Sequence, residues 1–397
     1  MVRIHCFMRT FCRGFFGLLA LGSGLLPVPG AAVGYRLAIA PAGNQVVISW
    51  PVAATNYALQ SITSLSTTNW LTVTNPAPVT LDHTNVLTYT NNSLMRFFRL
   101  ALLTNPTSSF AGMALVPAGS FTMGNSSRDS DITDANPTNV TVSMFYMDTN
   151  LVSYSLWQSV YNWATDAGYD FANSGSAQTV SQSVQPVQSV NWYDAVKWCN
   201  ARSQQAGLAP VYFTDAGLTQ VYTNGQIDAI YANWSATGYR LPTESEWEKA
   251  ARGGLGGKRF PWGDTISENL ANYYGDAELY SYDLGPDGYD YRFVPNGNPF
   301  AFPFTSPVGY FAPNGYGLYD MSGNVCQWCW DWYGTPYAGG TDPRGPAASI
   351  SASRTLRGGD WGDYASVARC ADRNQELNTA APGKAYFGTG FRCVRAH

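Results

Sequence analysis

The sequence predicts a small all-β sandwich module followed by a larger, irregular α/β domain with little regular secondary structure. Residues 35–103 carry short β-branched and aromatic runs divided by Asn, Thr, Ser and Pro. From Met113 onward, glycine-rich turns alternate with tryptophan-rich words, and only a few segments have helical spacing. Aromatic residues reach 14%, with 13 Trp and 25 Tyr. Rings at that density either brace a loop-rich fold or furnish a surface that stacks on sugars or peptides.

The N-terminus has the form of an export signal. Arg3, Arg9 and Arg13 precede the apolar stretch FFGLLALGSGLLPVPGAA, and Gly30-Ala31-Ala32 supplies a small-residue cleavage pattern. Residues 1–32 are therefore expected to be removed, leaving a chain that is secreted, periplasmic or at the cell surface. Cys12 lies before the apolar stretch, which argues against a lipid-modified cysteine following it. No other segment approaches the roughly 18 apolar residues of a membrane-spanning helix, so no transmembrane anchor is expected. A charged content of 13% and a net charge of −4 offer no basic face for nucleic acid.

The elements follow in order. In the β module, NQVVISW, NYALQS, NWLTVT and MRFFRLAL read as strands, and His83 falls in a surface loop. Residues 104–112 read as a linker leading to a domain spanning 113–397. SYSLWQSVYNWATDAG has Leu156, Val160 and Trp163 at helical spacing, and NWYDAVKWCNARSQQAG sets Trp192, Ala195 and Cys199 along one stripe. PTESEWEKAARGG carries a capping box, Thr243 with Glu246, and a Gly253-Gly254 stop. Between the last two, Asn224-Gly225 marks a hairpin turn.

Eight words of the second domain then occur in a fixed order: MALVPAGSFTMG, PVQSVNWYDAVKWCN, YRLPTESEWEKAARGG, FPWGD, TSPVGYFAPNGYGLYDMSGNVCQWCWDWY, LRGGDW, RCADR and GTGFRCVR. Together they resemble the formylglycine-generating enzyme, or sulfatase-modifying factor, family over about 113–396. The fold this resemblance implies is that family's irregular α/β one, related to C-type lectins. The implied activity is oxidation of a sulfatase cysteine to formylglycine with O2, using copper held by two thiolates. Thiolate pairs suit soft Cu(I). In the family both thiolates lie between the glycine-pair word and the RCA word. Here that interval is DWGDYASVA, without cysteine, so copper is not expected.

Other groove positions implied by the resemblance also differ. Asp360 stands for a Ser, Cys326 for a Trp and Gly388 for an Asn, while Arg373 is retained. Iron-binding relatives need about three His ligands, and the mature chain has only His83 and His397. The resemblance implies structural calcium at Asp320, Gly323, Val325 and Gln327, with Gln327 in place of a Glu. It implies a second site at Asn272 and Tyr273, whose acidic partner falls near the ambiguous PNGNPFAFPF.

Signal cleavage leaves five cysteines, an odd number. The resemblance pairs Cys199 with Cys393. Cys370 loses its family partner, because Ala251 stands there. Cys329 or Cys326 is left to replace it; Cys329 is preferred, with Cys326 as the odd thiol and a weak catalytic candidate. The sequence reading is thus a secreted member of the family that is not a copper oxidase and binds a peptide or glycan in the old groove. The alternatives are a formylglycine-generating or other Cys326-based enzyme, and a structural adhesion protein.

Overall fold

A computed structural model describes residues 37–42, 45–51, 57–62, 71–72, 79–81, 84–90, 97–102, 110–177, 184–293, 305–348, 351–373 and 381–397. The signal segment, His83 and the PNGNPFAFPF stretch lie outside the described residues. The chain divides into two compact units, Met1–Ser109 and Phe110–His397.

In the first unit, strands Ala38–Ala42, Gln45–Pro51, Thr84–Thr90 and Val79–Leu81 form one antiparallel sheet. Leu71–Thr72, Tyr57–Ile62 and Phe97–Leu102 form another. Alternation in QVVISW buries Val46, Ile48 and Trp50 against Leu59, Leu87 and Phe98.

The second unit is a mixed α/β structure of three helices and several small sheets among the described residues. Helix α1 (Tyr154–Asp166) is capped by Ser153, whose side chain accepts from the Leu156 amide. It buries Trp157, Val160 and Ala164, one position round from the predicted Leu156–Val160–Trp163 face. The partner decides this: Trp157 stacks on Trp198 at 5.8 Å. Helix α2 (Trp192–Gln205) starts at the Asn191 cap and is buried on nearly every side. Helix α3 (Glu244–Arg252) has the predicted Thr243–Glu246 capping box and ends on Gly253 in the left-handed region.

Two expectations shift. Phe110 stacks on Tyr146 at 4.0 Å, and its carbonyl accepts from the Met113 amide, so 110–112 belong to the second unit rather than a linker. Asn224-Gly225 does not close a two-residue hairpin, because Tyr212–Phe213 pair with Tyr231–Ala232 across a long connection. The chain reverses earlier: Thr214 donates to the Gln220 carbonyl, and the Asp215 carboxylate accepts from the Thr219 and Gln220 amides. This local aspartate turn outcompetes the Asn-Gly signal.

Every residue of α3 is buried, including its charges, and that requires partners. Glu248 accepts from Arg252, Arg357 and the Gly124 amide. Arg240 grips Glu246 with two bonds of 2.6 Å. Burial raises the Glu248 carboxyl, but the charges of Arg252 and Arg357 outweigh it and hold the group below the ordinary range. A depressed carboxylate contributes stability that is present above the unfolded pKa, about 4.3, and lost as pH falls through the folded one. E248Q is expected to lower unfolding free energy by about 3–5 kcal/mol at neutral pH, with the deficit shrinking in acid; denaturant titrations at pH 7 and pH 3 check this.

Candidate functional site

The site starts at the strand Cys326–Trp332. It pairs antiparallel with Arg354–Arg357 and, at its first two residues, parallel with Thr389–Gly390. That order brings three distant segments to one corner: Cys326, the loop after Arg357, and Gly388. The Cys326 amide donates to the Gly388 carbonyl at 2.8 Å. The Cys326 thiol donates to Asp363 Oδ2 at 3.6 Å, and the same oxygen accepts from the Asp360 amide at 2.9 Å. Asp360 Oδ1 accepts from the Gly362 amide at 2.7 Å. One donor atom from each of Cys326, Asp360 and Asp363 lies within 4.8 Å of the others. Burial, then the neighbouring Asp363 charge, push the Asp360 carboxyl well above its usual range.

Gly388 makes this corner possible. Its φ is +78°, and a Cβ there would collide with the Asp360 carboxylate. The acid at 360 and the missing side chain at 388 are therefore sterically complementary.

A continuous row of rings frames the acid pair. Phe387 meets Trp361 at 6.4 Å, Trp361 meets Tyr289 at 5.8 Å, and Tyr289 meets Tyr274 at 4.7 Å. Tyr274 then meets Tyr364 at 5.3 Å, and Tyr364 meets Tyr280 at 5.9 Å. Phe387 is 53% exposed and Tyr364 41%. The loop is pinned to this row because the Tyr274 amide donates to the Asp363 carbonyl at 2.9 Å. Sequence reasoning did not assign Asp363, Trp361, Tyr364, Tyr274 or Tyr289 to the site. The word DWGDY held the local signal, two acids and two rings in alternation; the contribution of Tyr274 and Tyr289 comes only from the fold.

Arg373 is corrected. It is 1% exposed and bonds Glu244 through Nε and Nη2 at 2.7 and 2.8 Å, beside a cavity of about 150 Å³ lined by Glu244, Asp331 and Tyr337. Its charge is consumed by α3, so it is a structural residue and not part of the Asp360 corner.

The calcium ligands at 320–327 are corrected as well. Gln327 Oε1 already accepts from Trp247 Nε1 at 2.9 Å and Arg392 Nε at 2.8 Å, and its Nε2 donates to the Asp320 carbonyl. An oxygen holding a guanidinium has no lone pair to give a hard cation, which needs six to eight oxygens. Asp320 itself accepts from the Gly309 amide at 2.7 Å and is pushed up by burial. Val325 is fully buried. Gly323, at φ +75°, packs on the Asn272 carbonyl, where a Cβ would clash, and that carbonyl accepts from the Asn324 amide. The set does not fit calcium. The Tyr273 hydroxyl donates to Asp283, which places an acid against the Asn272–Tyr273 pair from a segment preceding PNGNPFAFPF.

Copper does not fit either. Of the five described thiols, the acid corner holds Cys326 alone, while Cys329 and Cys370 lie in the core around Trp247. No Cys329–Cys370 bond is present in this structure. The Cys199 and Cys393 sulfurs approach to 3.6 Å.

The sulfatase-modifying factor enzyme 1-like domain family matches residues 100–397. The formylglycine-generating enzyme of Thermomonospora curvata is 33% identical over 307 residues, covering 71% of this chain and 93% of the relative. The inactive C-alpha-formylglycine-generating enzyme 2 of Bos taurus is 30% identical over 298 residues, covering 71% and 87%. Among solved structures, Treponema denticola variable protein 1 aligns with a TM-score of 0.54 at 28% identity, covering 72% of this chain and 95% of that one. CarF aligns with a TM-score of 0.50 at 26% identity, covering 72% and 98%.

Two outcomes follow from this geometry. Gly388→Ala is expected to cost about 1–3 kcal/mol, because it must displace the Asp360 carboxylate and hold a left-handed φ; the loss should shrink in an Asp360→Ser background, as thermal denaturation of the pair would show. Under oxidising conditions Cys199 and Cys393 are expected to close a loop across 194 positions. Such a bond would stabilise the chain by about 3–5 kcal/mol, and non-reducing peptide mapping reads the pairing directly.

Proposed function

We propose that this chain, which belongs to the sulfatase-modifying factor enzyme family, is an exported binding protein rather than a copper oxidase. Its ligand is a glycan or peptide segment held over the Asp360–Asp363 corner. The observation that carries the reading is the row of contiguous rings bordering two carboxylates. Sugar C–H faces and peptide side chains pack on exposed rings, and hydroxyl or ammonium groups donate to carboxylates in charge-assisted bonds. A binding surface of this kind needs no reactive group.

The chemistry of the donor set supports loss of the oxidase. A Cu(I) site needs two convergent thiolates, and carboxylates are poor substitutes for the soft ion. Cys326 is fully buried, so it is not presented to a substrate as a nucleophile. A relative named as inactive belongs to the same family. Export rests on the N-terminal signal pattern; no helix of the described residues is long and apolar enough to cross a membrane.

Glycan and peptide arrays probed with the mature chain are expected to return a discrete ligand class. Phe387→Ala and Tyr364→Ala should each weaken that binding about tenfold, the equivalent of roughly 1.4 kcal/mol. A copper-supplemented assay on a Cys-x-Pro-x-Arg peptide should give no formylglycine; turnover that disappears in Cys326→Ala would refute the proposal.

A further inference from the structure

We propose that Cys326 Sγ and one carboxylate oxygen each from Asp360 and Asp363 form a site for a single divalent transition-metal ion of the zinc class. The three donor atoms already lie within 4.8 Å of one another, and the Cys326 sulfur is 3.6 Å from Asp363 Oδ2. Tetrahedral ligands held about 2.0–2.3 Å from zinc stand roughly 3.5 Å apart, so small side-chain adjustments close the set. Thiolate disfavours calcium and magnesium, and a single thiolate with two carboxylates is not a Cu(I) pair. The mixed set is one that zinc accepts.

The corner is built for this. Cys326 is fully buried beside two half-buried carboxylates, and a dication would supply the positive charge this cluster lacks. Gly388 keeps open the space the Asp360 carboxylate fills. An independent observation comes from the neighbouring strand. Thr389 is the register partner of Cys326, so its side chain leaves the sheet on the same face. Its hydroxyl is fully buried and has no hydrogen-bond partner among the described residues. The same holds for Gln188 Nε2, whose sister oxygen accepts from the Gly388 amide at 3.1 Å. Buried polar groups normally find partners, and groups beside a metal bond its water or its remaining ligand. Three protein ligands leave the fourth position for water or an oxygen of a bound molecule. On binding, the Cys326 thiol and any protonated carboxylate release their protons to solvent.

The test uses metal-free full chain titrated with Co(II), then Zn(II), and needs no organic ligand, so a failed array leaves it interpretable. One equivalent of cobalt should give a thiolate-to-metal charge-transfer band in the near ultraviolet, bleached by zinc. Cys326→Ser should abolish the band, and Asp360→Asn and Asp363→Asn should each weaken binding at least tenfold. Cys329→Ser and Cys370→Ser should leave the band unchanged. Circular dichroism confirms that each variant is folded; if Cys326→Ser is not, the two Asn variants decide. Absence of the band in the wild type, its persistence in folded Cys326→Ser, or unchanged affinity in both Asn variants overturns the proposal.

Discussion

The second domain is organised around a permanent charge placed where water cannot reach it. Arg392 is fully buried, and its guanidinium is met by neutral acceptors: Gln327 Oε1 at 2.8 Å and the carbonyls of Asp148, Thr149, Tyr319 and Asp320. Burial pushes its pKa down to about 10, against the opposing pull of Asp320 and Asp148. A guanidinium left without acceptors in that position costs several kcal/mol, so the segments at 148–149, 319–320 and 327 are held together by its needs. Gln327 extends the hub to α3 through Trp247. A loop-rich fold with small sheets obtains rigidity this way rather than from long ladders.

The residue type at 327 suits that hub. An amide at 327 both accepts and donates, so it takes Arg392 and Trp247 on oxygen and gives to the Asp320 carbonyl on nitrogen. The same economy appears around α3, where Glu244, Glu246 and Glu248 are each matched to arginines: Arg373, Arg240, and Arg252 with Arg357. Arg373 serves α3 through its ion pair with Glu244.

The acid corner is assembled by the same long-range logic. Strand order, not sequence proximity, puts Cys326 against Asp363 and Gly388 against Asp360. The Asp360 carboxylate occupies the space that a side chain at 388 would need. Family membership fixes the scaffold, while the groups at the site decide what it can do.

Much was readable from the residues alone. The capping box and glycine stop of α3, the three helices and the ordered words that carry the family are all local signals, set by contacts within a few residues. So is the absence of a cysteine between Asp360 and Cys370. What the sequence could not determine depends on partners far along the chain. The buried face of α1 was misread by one position because Leu156 and Trp157 fit the helical period equally well, and only Trp198 selects between them. The Asn-Gly signal is outcompeted by an aspartate turn in which the Asp215 carboxylate accepts from the Thr219 and Gln220 amides. Arg373 was assigned to the groove because sequence cannot show that Glu244, 129 positions earlier, takes its charge. The sequence around Gln327 predicts a cation ligand, whereas its side-chain oxygen accepts from Arg392 and Trp247. The ring row needs Tyr274 and Tyr289 beside Tyr364 and Trp361, a meeting made by short strand pairing and loop packing. Local chemistry therefore settled the elements and the family, and long-range packing settled which side chains are spent inside and which remain to meet a ligand.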